Sequence, residues 1–355
     1  MTTQPVANLH AVDLHAVAAE GRDAGVPWHY GDPLREQRRL ATGAGVVDRR
    51  NRDVLVVPGP DRLPWLHSIC SQHVAALADG DSTEALVLSP HGHVEQHWQL
   101  TELGDQVWID TEPGAAAEVL GYLRKMQFLK RVDPADVSAE WAVLTVVGPA
   151  AGTVVALAGL PVPPAVGRAV AIPAGGFVRL TPWPAPGAYD VIVPRPAADA
   201  TLTALAGAGA TPAGLWAFEA LRVESRRPRL GAETDHRTIP HEVGWIGAAV
   251  HLDKGCYRGQ ETVARVQNLG RPPRRLVLVH LSGESDELPA PGTPVEFAGR
   301  AVGFLGTAVH HFELGPVALA VLKRSLPSAA ELQVGRHVAL VDEDPAADTG
   351  AGSPG

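Results

Sequence analysis

The sequence predicts an α+β protein that ends in a small antiparallel β-barrel. Residues 105–147 have the pattern strand, helix, strand, within a region whose other strands are joined by short turns. This pattern predicts a ferredoxin-like subdomain. From residue 271 onward the pattern changes to short apolar strands separated by Pro-Gly and Gly turns, which is typical of a small barrel. A chain of 355 residues has room for both units.

Composition narrows the class of function. A hydrophobic fraction of 45% and a charged fraction of 19% are typical of a soluble globular protein. The net charge of −9 argues against a broad nucleic-acid-binding surface. Asp13 and Glu20 interrupt the early segment, so the sequence predicts no signal peptide. The most apolar stretch, roughly 142–178, is broken by several prolines and by Arg168, so no membrane span is predicted.

Only two cysteines occur, Cys70 and Cys256. They cannot form a disulfide framework, and they favour a reducing cytoplasmic location. An iron–sulfur cluster needs about four thiolate ligands, so one copy of the chain cannot hold a cluster unaided. No resident metal is predicted.

The chain divides into four segments. Residues 1–25 are rich in Ala and His and predict a flexible N-terminal arm, and residues 343–355 predict a disordered tail. Between them, residues 26–270 form the predicted body, with an inserted subdomain at about 62–147, and residues 271–342 form the predicted barrel.

Regular elements are predicted in order along the body. A helical segment over 34–47 leads to a strand at 53–57, and Asp61 is a candidate N-cap for the next helix. Cys70 lies on the apolar side of that helix and is interpreted as core. The later elements are strands at 106–110, 142–147, 177–180 and 189–193, with helices at 113–129 and 212–224.

A hairpin is predicted at 86–98. His93, Glu95 and His97 alternate there and share one face, which fits either a metal site or a polar hairpin surface. Such short spacing is weak support for a metal, so the polar surface is the simpler interpretation.

The most unusual stretch is residues 254–261, where two glycines flank one cysteine among charged residues. Gly255 and Gly259 predict a tight loop. Nearby Lys254 and Arg258 would favour the thiolate form of Cys256, which is the nucleophilic and metal-binding form. The alternative is a structural turn with a buried, inert cysteine.

This stretch, K-G-C-Y-x-G-Q-E, resembles the signature of the YgfZ family, folate-binding relatives of the aminomethyltransferase (T-protein) of glycine cleavage. Segments at 221–224 and 238–242 are similar to the L-R-x-E and T-I-P-x-E motifs of the same family. The resemblance implies a GcvT-like folate-binding body of ferredoxin-like subdomains around a central channel, followed by the barrel.

The resemblance also implies a pterin site. Glu224 closes the L-R-x-E segment, and one ionised carboxylate can accept both the ring N–H and the amino group of a pterin. Arg222, Glu242 and Trp245 are the other candidate cofactor-binding residues. A surface glutamate at a helix end and a core tryptophan are the alternatives for Glu224 and Trp245.

The function that the resemblance implies is tetrahydrofolate binding in support of iron–sulfur cluster assembly or repair, with cluster proteins as clients and an indirect link to tRNA modification. Cys256 would be a redox or ligand thiol, positioned by Lys254, Arg258, Gln260 and Glu261. We therefore expect Cys256 and Glu224 to open onto the same cavity.

Two other functions remain open. The first is an aminomethyltransferase or another folate-dependent one-carbon transferase. The family's transferases carry an Asp pair where this chain has Glu95 and Gln96, and Arg50 replaces the usual hydroxyl residue after Asp48, so the chain departs from that pattern. The second is a pure binding module in which Cys256 is dispensable.

Two basic runs are either solvated faces or sites that attract the glutamate tail of folate or an anionic partner such as tRNA. They are Arg222, Arg226, Arg227 and Arg229, and then Arg265, Arg271, Arg274 and Arg275.

Overall fold

The structure is a computed structural model that describes residues 16–342 except 186, 283–286 and 328. Within these residues the α-helices are α1 (Pro33–Thr42), α2 (Arg62–Ile69), α3 (Ala116–Gln127), α4 (Ala151–Leu157), α5 (Ala198–Gly207), α6 (Leu215–Glu224) and α7 (Gln260–Leu269). None of the helices in this described part is long and apolar enough to cross a membrane.

The strands of the described residues form four sheets. They are β1 (Val17–Ala18), β2 (Pro27–His29), β3 (Gly45–Asp48), β4 (Asp53–Pro58), β5 (Ser82–Leu88), β6 (Val94–Leu103), β7 (Gln106–Thr111), β8 (Ala135–Asp136), β9 (Trp141–Val147), β10 (Ala169–Ala171), β11 (Phe177–Thr181), β12 (Ala188–Pro194), β13 (Thr211–Ala213), β14 (Arg274–Leu281), β15 (Pro294–Phe297), β16 (Arg300–His311), β17 (Gly315–Lys323), β18 (Glu331–Val334) and β19 (His337–Asp342).

Two sheets build the body. The first has the order β10-β11-β12-β9-β3-β13 and the second has the order β5-β6-β7-β4-β8. All the pairs are antiparallel except β3 with β13. Each sheet carries helices on one face, α4 and α5 on the first and α2 and α3 on the second, because alternate strand residues are apolar there. The predicted α+β class is therefore confirmed.

The C-terminal barrel is also confirmed. Strands β14 to β19 close in the order β14-β17-β16-β15-β18-β19. Its interior contains a packed core of small and branched side chains, among them Val277, Val279 and Leu332. Five of its strands correspond to those that the sequence pattern predicts at 275–281, 293–297, 301–310, 317–321 and 337–341, whereas β18 has no predicted counterpart.

Two predicted helices are shorter than expected because part of each range is a strand. The predicted helix at 34–47 ends at Thr42, and residues 45–48 form β3. The predicted helix at 212–224 begins at Leu215, after residues 211–213 pair with β3 as β13. In both places pairing within the first sheet overrides local helical pattern.

The N-terminal segment contributes to the body. Residues 1–15 of the predicted arm and the whole predicted tail at 343–355 lie outside the described residues. Within 16–25, Val17 pairs with His29 and Ala18 with Pro27, and Asp23 accepts hydrogen bonds from Arg229 at 2.8 and 2.6 Å. This described part of the predicted arm is therefore packed against the body.

Candidate functional site

Lys254 anchors the loop 254–261 to the end of α2. Its Nζ donates hydrogen bonds to the carbonyl oxygens of His67 (2.6 Å), Cys70 (2.7 Å) and Gln72 (2.9 Å). Carbonyls at a helix C-terminus lack helical partners and attract a cation. The residue is only 5% exposed, and burial lowers the pKa of Lys254. Lys254 therefore fixes the position of the loop.

Glycines allow the loop to pack directly on the turn of the β5–β6 hairpin. Gly259 has a φ of +82°, and a Cβ added to it would lie 2.5 Å from the carbonyl oxygen of Ser89. A Cβ added to Gly92 would lie 2.7 Å from the Cβ of Thr262. Both contacts are closer than a side chain tolerates, so the loop and the hairpin fit together only with glycine at these positions.

Arg258 joins the loop to β6. Its Nη1 donates to Oε2 of Glu95 at 2.8 Å, and its Nη2 donates to Oε1 at 3.3 Å. The Nε2 of Gln260 donates to the carbonyl oxygen of Lys254 at 3.4 Å. Glu261 is exposed in the first turn of α7. Of the loop's polar residues, Lys254, Arg258 and Gln260 thus make contacts that hold the loop itself.

The two cysteines have opposite environments. Cys70 is buried in the core between α2 and its sheet, as predicted, and burial raises the pKa of its thiol. Cys256 is exposed, so the alternative of a buried cysteine at this position is wrong. Lys254 and Arg258 are bonded to carbonyls and to Glu95, and no described contact directs either charge at the Cys256 thiol.

A cleft lies where α6, the segment after it and β6 meet. It is narrow, and side chains from all three elements line it. Trp183 and Phe218 form an aromatic wall, and the guanidinium carbon of Arg49 lies 4.2 Å from the ring centroid of Phe218 and 5.7 Å from that of Trp183. Such stacking is favourable when the cation is desolvated.

The charges in the cleft are balanced. Five arginines line it, and each has a carboxylate partner within 4 Å. The pairs are Arg49 with Asp190, Arg52 with Asp110, Arg222 with Glu219, Arg227 with Glu84, and Arg229 with Asp23. A buried charge is tolerated only with such compensation. The cleft is therefore polar without a strong net charge.

Glu219 lines the cleft with one carboxylate oxygen available to accept a further hydrogen bond. Its Oε2 accepts hydrogen bonds from Nε and Nη2 of Arg222 at 3.0 and 2.8 Å. Among the described residues, the cation nearest to Oε1 is Nη1 of Arg229, at 3.8 Å. Burial raises the pKa of Glu219, but the charges of Arg222 and Arg229 outweigh it and lower that pKa. Glu219 is thus an ionised carboxylate with one oxygen available to accept.

A second buried carboxylate holds a histidine of the cleft. Nε2 of His97 lies 2.8 Å from Oε2 of Glu84, and Glu84 also pairs with Arg227. Burial raises the pKa of Glu84, but the hydrogen bond to His97 and the charge of Arg227 lower it from 4.5 to about 2. The His97 ring stacks on Trp245, with centroids 5.0 Å apart and planes at 19°.

Glu224 lies outside the cleft. Its side chain is 46% exposed, and its Oε2 is 3.3 Å from Nε2 of His311 in the barrel. Neither Glu224 nor Cys256 is among the described residues that line the cleft, so the expected shared cavity is not formed. The reason is helical geometry: Glu224 follows Glu219 by five residues, which places it about 140° further round α6.

The remaining predicted ligand residues are placed as follows. Arg222 lines the cleft, bonded to Glu219. Glu242 is buried, where it accepts from the backbone N–H of Ile239 and from Arg274. Trp245 is fully buried and touches the cleft through His97. Trp245 is thus a core residue whose ring stacks on His97 of the cleft.

The metal alternative for the hairpin is not supported. In the part of the chain that the structure describes, no group of three or more His, Cys, Asp or Glu side chains is arranged to hold a metal ion. His97 is bonded to Glu84, and Glu95 is bonded to Arg258.

Sequence reasoning missed Glu84 and Glu219, and it did not place His97 beside Glu84. One signal was available for Glu219, because it lies three residues before Arg222 and therefore on the same helix face. For the others, the register that pairs Leu86 with His97 brings Glu84 near the histidine. That register is fixed by strand pairing and by a bulge between Val87 and Leu88.

Comparisons with known proteins agree with this fold. Residues 10–159 match the family described as the GCVT N-terminal domain. The chain is 26% identical over 343 residues to the aminomethyltransferase of Herpetosiphon aurantiacus, across 93% of this chain and 91% of the relative. It is 28% identical over 300 residues to the aminomethyltransferase of Symbiobacterium thermophilum, across 79% of each.

Among solved structures, the glycine cleavage system aminomethyltransferase T from Bartonella henselae superposes with a TM-score of 0.82 at 20% identity, covering 93% of both chains. The chain therefore has a GcvT-like fold, and relatives that align with most of it are aminomethyltransferases.

Proposed function

We propose that this chain binds tetrahydrofolate in the cleft and acts as a folate-dependent one-carbon transferase of the aminomethyltransferase kind. The observation that carries the proposal is Glu219, an ionised carboxylate with an available oxygen, in a cleft walled by Trp183 and Phe218. Relatives aligned over most of the chain are aminomethyltransferases, which supports the same reaction class.

The residues of the cleft fit a pterin. A pterin is flat, presents adjacent N–H donors and carries little charge, so it suits an aromatic wall, an open carboxylate oxygen and a balanced set of ion pairs. Oε1 of Glu219 would accept from the ring, and the Trp183 face would pack against it. When bound, tetrahydrofolate would supply the nitrogen atoms that receive a one-carbon unit.

Two side chains on β6 occupy the positions at which the family's transferases carry acidic residues. The Oε1 of Gln96 accepts a hydrogen bond from Nε1 of Trp98 at 3.1 Å, and an amide is neither an acid nor a base at ordinary pH. Glu95 forms an ion pair with Arg258 of the loop 254–261. For Glu95 to act as an acid or a base, its ion pair with Arg258 would have to open. The position of the loop 254–261 would therefore affect the reaction.

Calorimetric titration of the full-length chain with tetrahydrofolate, without oxygen, tests the binding. We expect one site whose affinity falls at least about tenfold in Glu219→Gln, because a neutral amide cannot accept two N–H donors as strongly. Glu118→Gln, an exposed acid on α3, is the matched control. Absence of binding to the wild-type chain would contradict the proposal.

Turnover is tested separately. With a carrier that bears an aminomethyl group, we expect methylene-tetrahydrofolate to form as ammonia leaves, and Glu95→Gln to abolish the reaction while tetrahydrofolate still binds. Full turnover in Glu95→Gln would remove Glu95 from the reaction.

A second candidate is support of iron–sulfur cluster assembly or repair, and through it tRNA modification. Its specific support is that Cys256 is exposed on a loop fixed by Lys254 and Arg258, together with the resemblance of that loop to the YgfZ signature. Cells that carry Cys256→Ser should lose activity of cluster-dependent enzymes. Full activity of those enzymes would reject a thiol mechanism.

A further inference from the structure

His97 and Glu84 form a carboxylate–imidazole pair at the edge of the cleft. Glu84 lies on β5 and His97 on β6, their side chains are buried, and Nε2 of His97 is 2.8 Å from Oε2 of Glu84. His97 is among the residues that line the cleft. Neither residue belongs to the motifs that carry the family resemblance.

The charge of Glu84 determines which nitrogen of His97 carries a proton. The pKa of Glu84 is about 2, so the group is an ionised carboxylate that only accepts hydrogen bonds. Nε2 of His97 must therefore donate, and in the neutral ring Nδ1 carries the lone pair. No hydrogen bond among the described residues occupies Nδ1.

The ring is also held in orientation. One face stacks on Trp245, which is fully buried, and Arg227 holds Glu84 from the other side of the carboxylate. A carboxylate that fixes the tautomer and rotation of a histidine leaves the second nitrogen ready to exchange a proton. The pair thus has the arrangement of an oriented base, in which His97 would contact the ligand and Glu84 is a positioning residue.

We propose that His97 is the proton acceptor of the cleft, and that Nδ1 takes a proton from an N–H group of the bound heterocycle. In this step the ligand N–H bond breaks, its electron pair stays on the ligand nitrogen, and a bond forms between the proton and Nδ1. The imidazolium that results keeps its Nε2–H on Glu84. The inference rests on the proposed function, because tetrahydrofolate is the N–H-bearing ligand.

Other charged groups lie around the cleft that the ring lines. Beyond Glu84 and Arg227, the charged residues that line the same cleft are Asp23, Arg49, Arg52, Glu112, Glu219, Arg222 and Arg229. Because these form ion pairs with one another or with carboxylates behind them, the pH dependence of binding between about pH 5 and 8 is expected to come from histidine rather than from these groups.

The first test measures ligand binding and its linked proton. Tetrahydrofolate is titrated into the full chain from pH 5 to 8 in two buffers that differ in ionisation enthalpy. We expect affinity to fall by up to tenfold per pH unit on the acid side, because the imidazolium cannot accept. His97→Asn should bind about tenfold more weakly at pH 8 and without this pH dependence, whereas His91→Asn, an exposed histidine on the same hairpin, should match the wild type.

The second test needs no variant of His97. Nitrogen NMR of the ¹⁵N-histidine-labelled chain should show His97 with its proton on Nε2, and Glu84→Gln should shift the ring towards a mixture of tautomers, with Glu84→Asp restoring it.

The outcomes separate the two proposals. If tetrahydrofolate binds, but with the same pH dependence in His97→Asn as in the wild type, the inference fails and the proposed function stands. If His97 carries its proton on Nδ1 in the wild-type spectrum, the inference also fails. If tetrahydrofolate does not bind the wild-type chain, both fail.

Discussion

Replacing Lys254 by Met tests whether the loop 254–261 is fixed as the structure indicates. Its Nζ satisfies three carbonyl oxygens at distances of 2.6 to 2.9 Å. Charge-assisted hydrogen bonds contribute roughly 1.5 to 3 kcal/mol each, and a carbonyl left without a partner in a buried place costs a similar amount. Removing a desolvated ammonium offsets part of this loss.

We therefore expect Lys254→Met to lower the free energy of unfolding by about 3 kcal/mol. Urea denaturation of the full chain measures this loss, and hydrogen exchange should show faster exchange of the amides at 254–261. Lys323→Met is the matched control, because Lys323 is exposed and its Nζ makes one long bond of 3.4 Å, to the carbonyl oxygen of Ala301. A free energy for Lys254→Met within about 0.5 kcal/mol of the wild type would refute the reasoning.

Three further predictions follow from the geometry of the site. Gly259→Ala should lower the free energy of unfolding by at least about 2 kcal/mol, because φ is +82° and the added Cβ would lie 2.5 Å from a carbonyl oxygen. Gly255→Ala is the control in the same urea assay, and it should have little effect because the space around Gly255 is open. Arg227→Glu should weaken tetrahydrofolate binding at least about tenfold, since Arg227 lines the cleft. Arg226→Glu should not weaken it, because the partner of Arg226 is on β19. If both reversals weaken binding of polyglutamylated tetrahydrofolate more than binding of the monoglutamate, the basic run binds the glutamate tail, and equal effects on the two ligands reject that role. The pKa of Glu84 is lowered from 4.5 to about 2 in the folded chain, so the stabilisation that its charge provides is complete above about pH 4.5 and is lost as pH falls towards 2. Over this range the free energy of unfolding should fall by roughly 3 kcal/mol more in the wild type than in Glu84→Gln.

Much of the fold is readable from local pattern. The alternation in β7 and the helical spacing in α3 identify elements of the second sheet and its helical layer, and the short strands after Gly270 identify the barrel. The strand–helix–strand unit predicted over 105–147 does not form one subdomain, because β9 pairs with β3 and β12 in the first sheet. Local pattern fails where sheet pairing decides the outcome, as at β3 and β13, where residues of predicted helices are drawn into a sheet. These pairings join residues 45–47 to 211–213, and nothing within either segment encodes the other.

The candidate site was predicted less well than the fold, for a related reason. The family resemblance predicts Glu224 as the pterin-binding carboxylate, yet the side of α6 that faces the cleft carries Glu219 and Arg222. The rotation of α6 is set by burial of its apolar residues, such as Ala217 and Leu221, against neighbouring elements. The ion pair between Glu84 and Arg227 joins residues 143 positions apart, so only the tertiary structure reveals it.

The loop at 254–261 illustrates how chemistry read from composition changes in context. Two cations beside a cysteine suggest an activated thiol, but Lys254 is bonded to the carbonyls at the end of α2 and Arg258 is bonded to Glu95. The flanking residues hold the loop in place and leave Cys256 exposed.

A structure of the full chain with tetrahydrofolate tests the account's central claim most directly. We predict that the pterin lies against Trp183, with an N–H group within about 2.7 to 3.2 Å of Oε1 of Glu219. A pterin held instead by Glu224, on the barrel side of α6, or a cleft that stays closed to the ligand, would contradict the account.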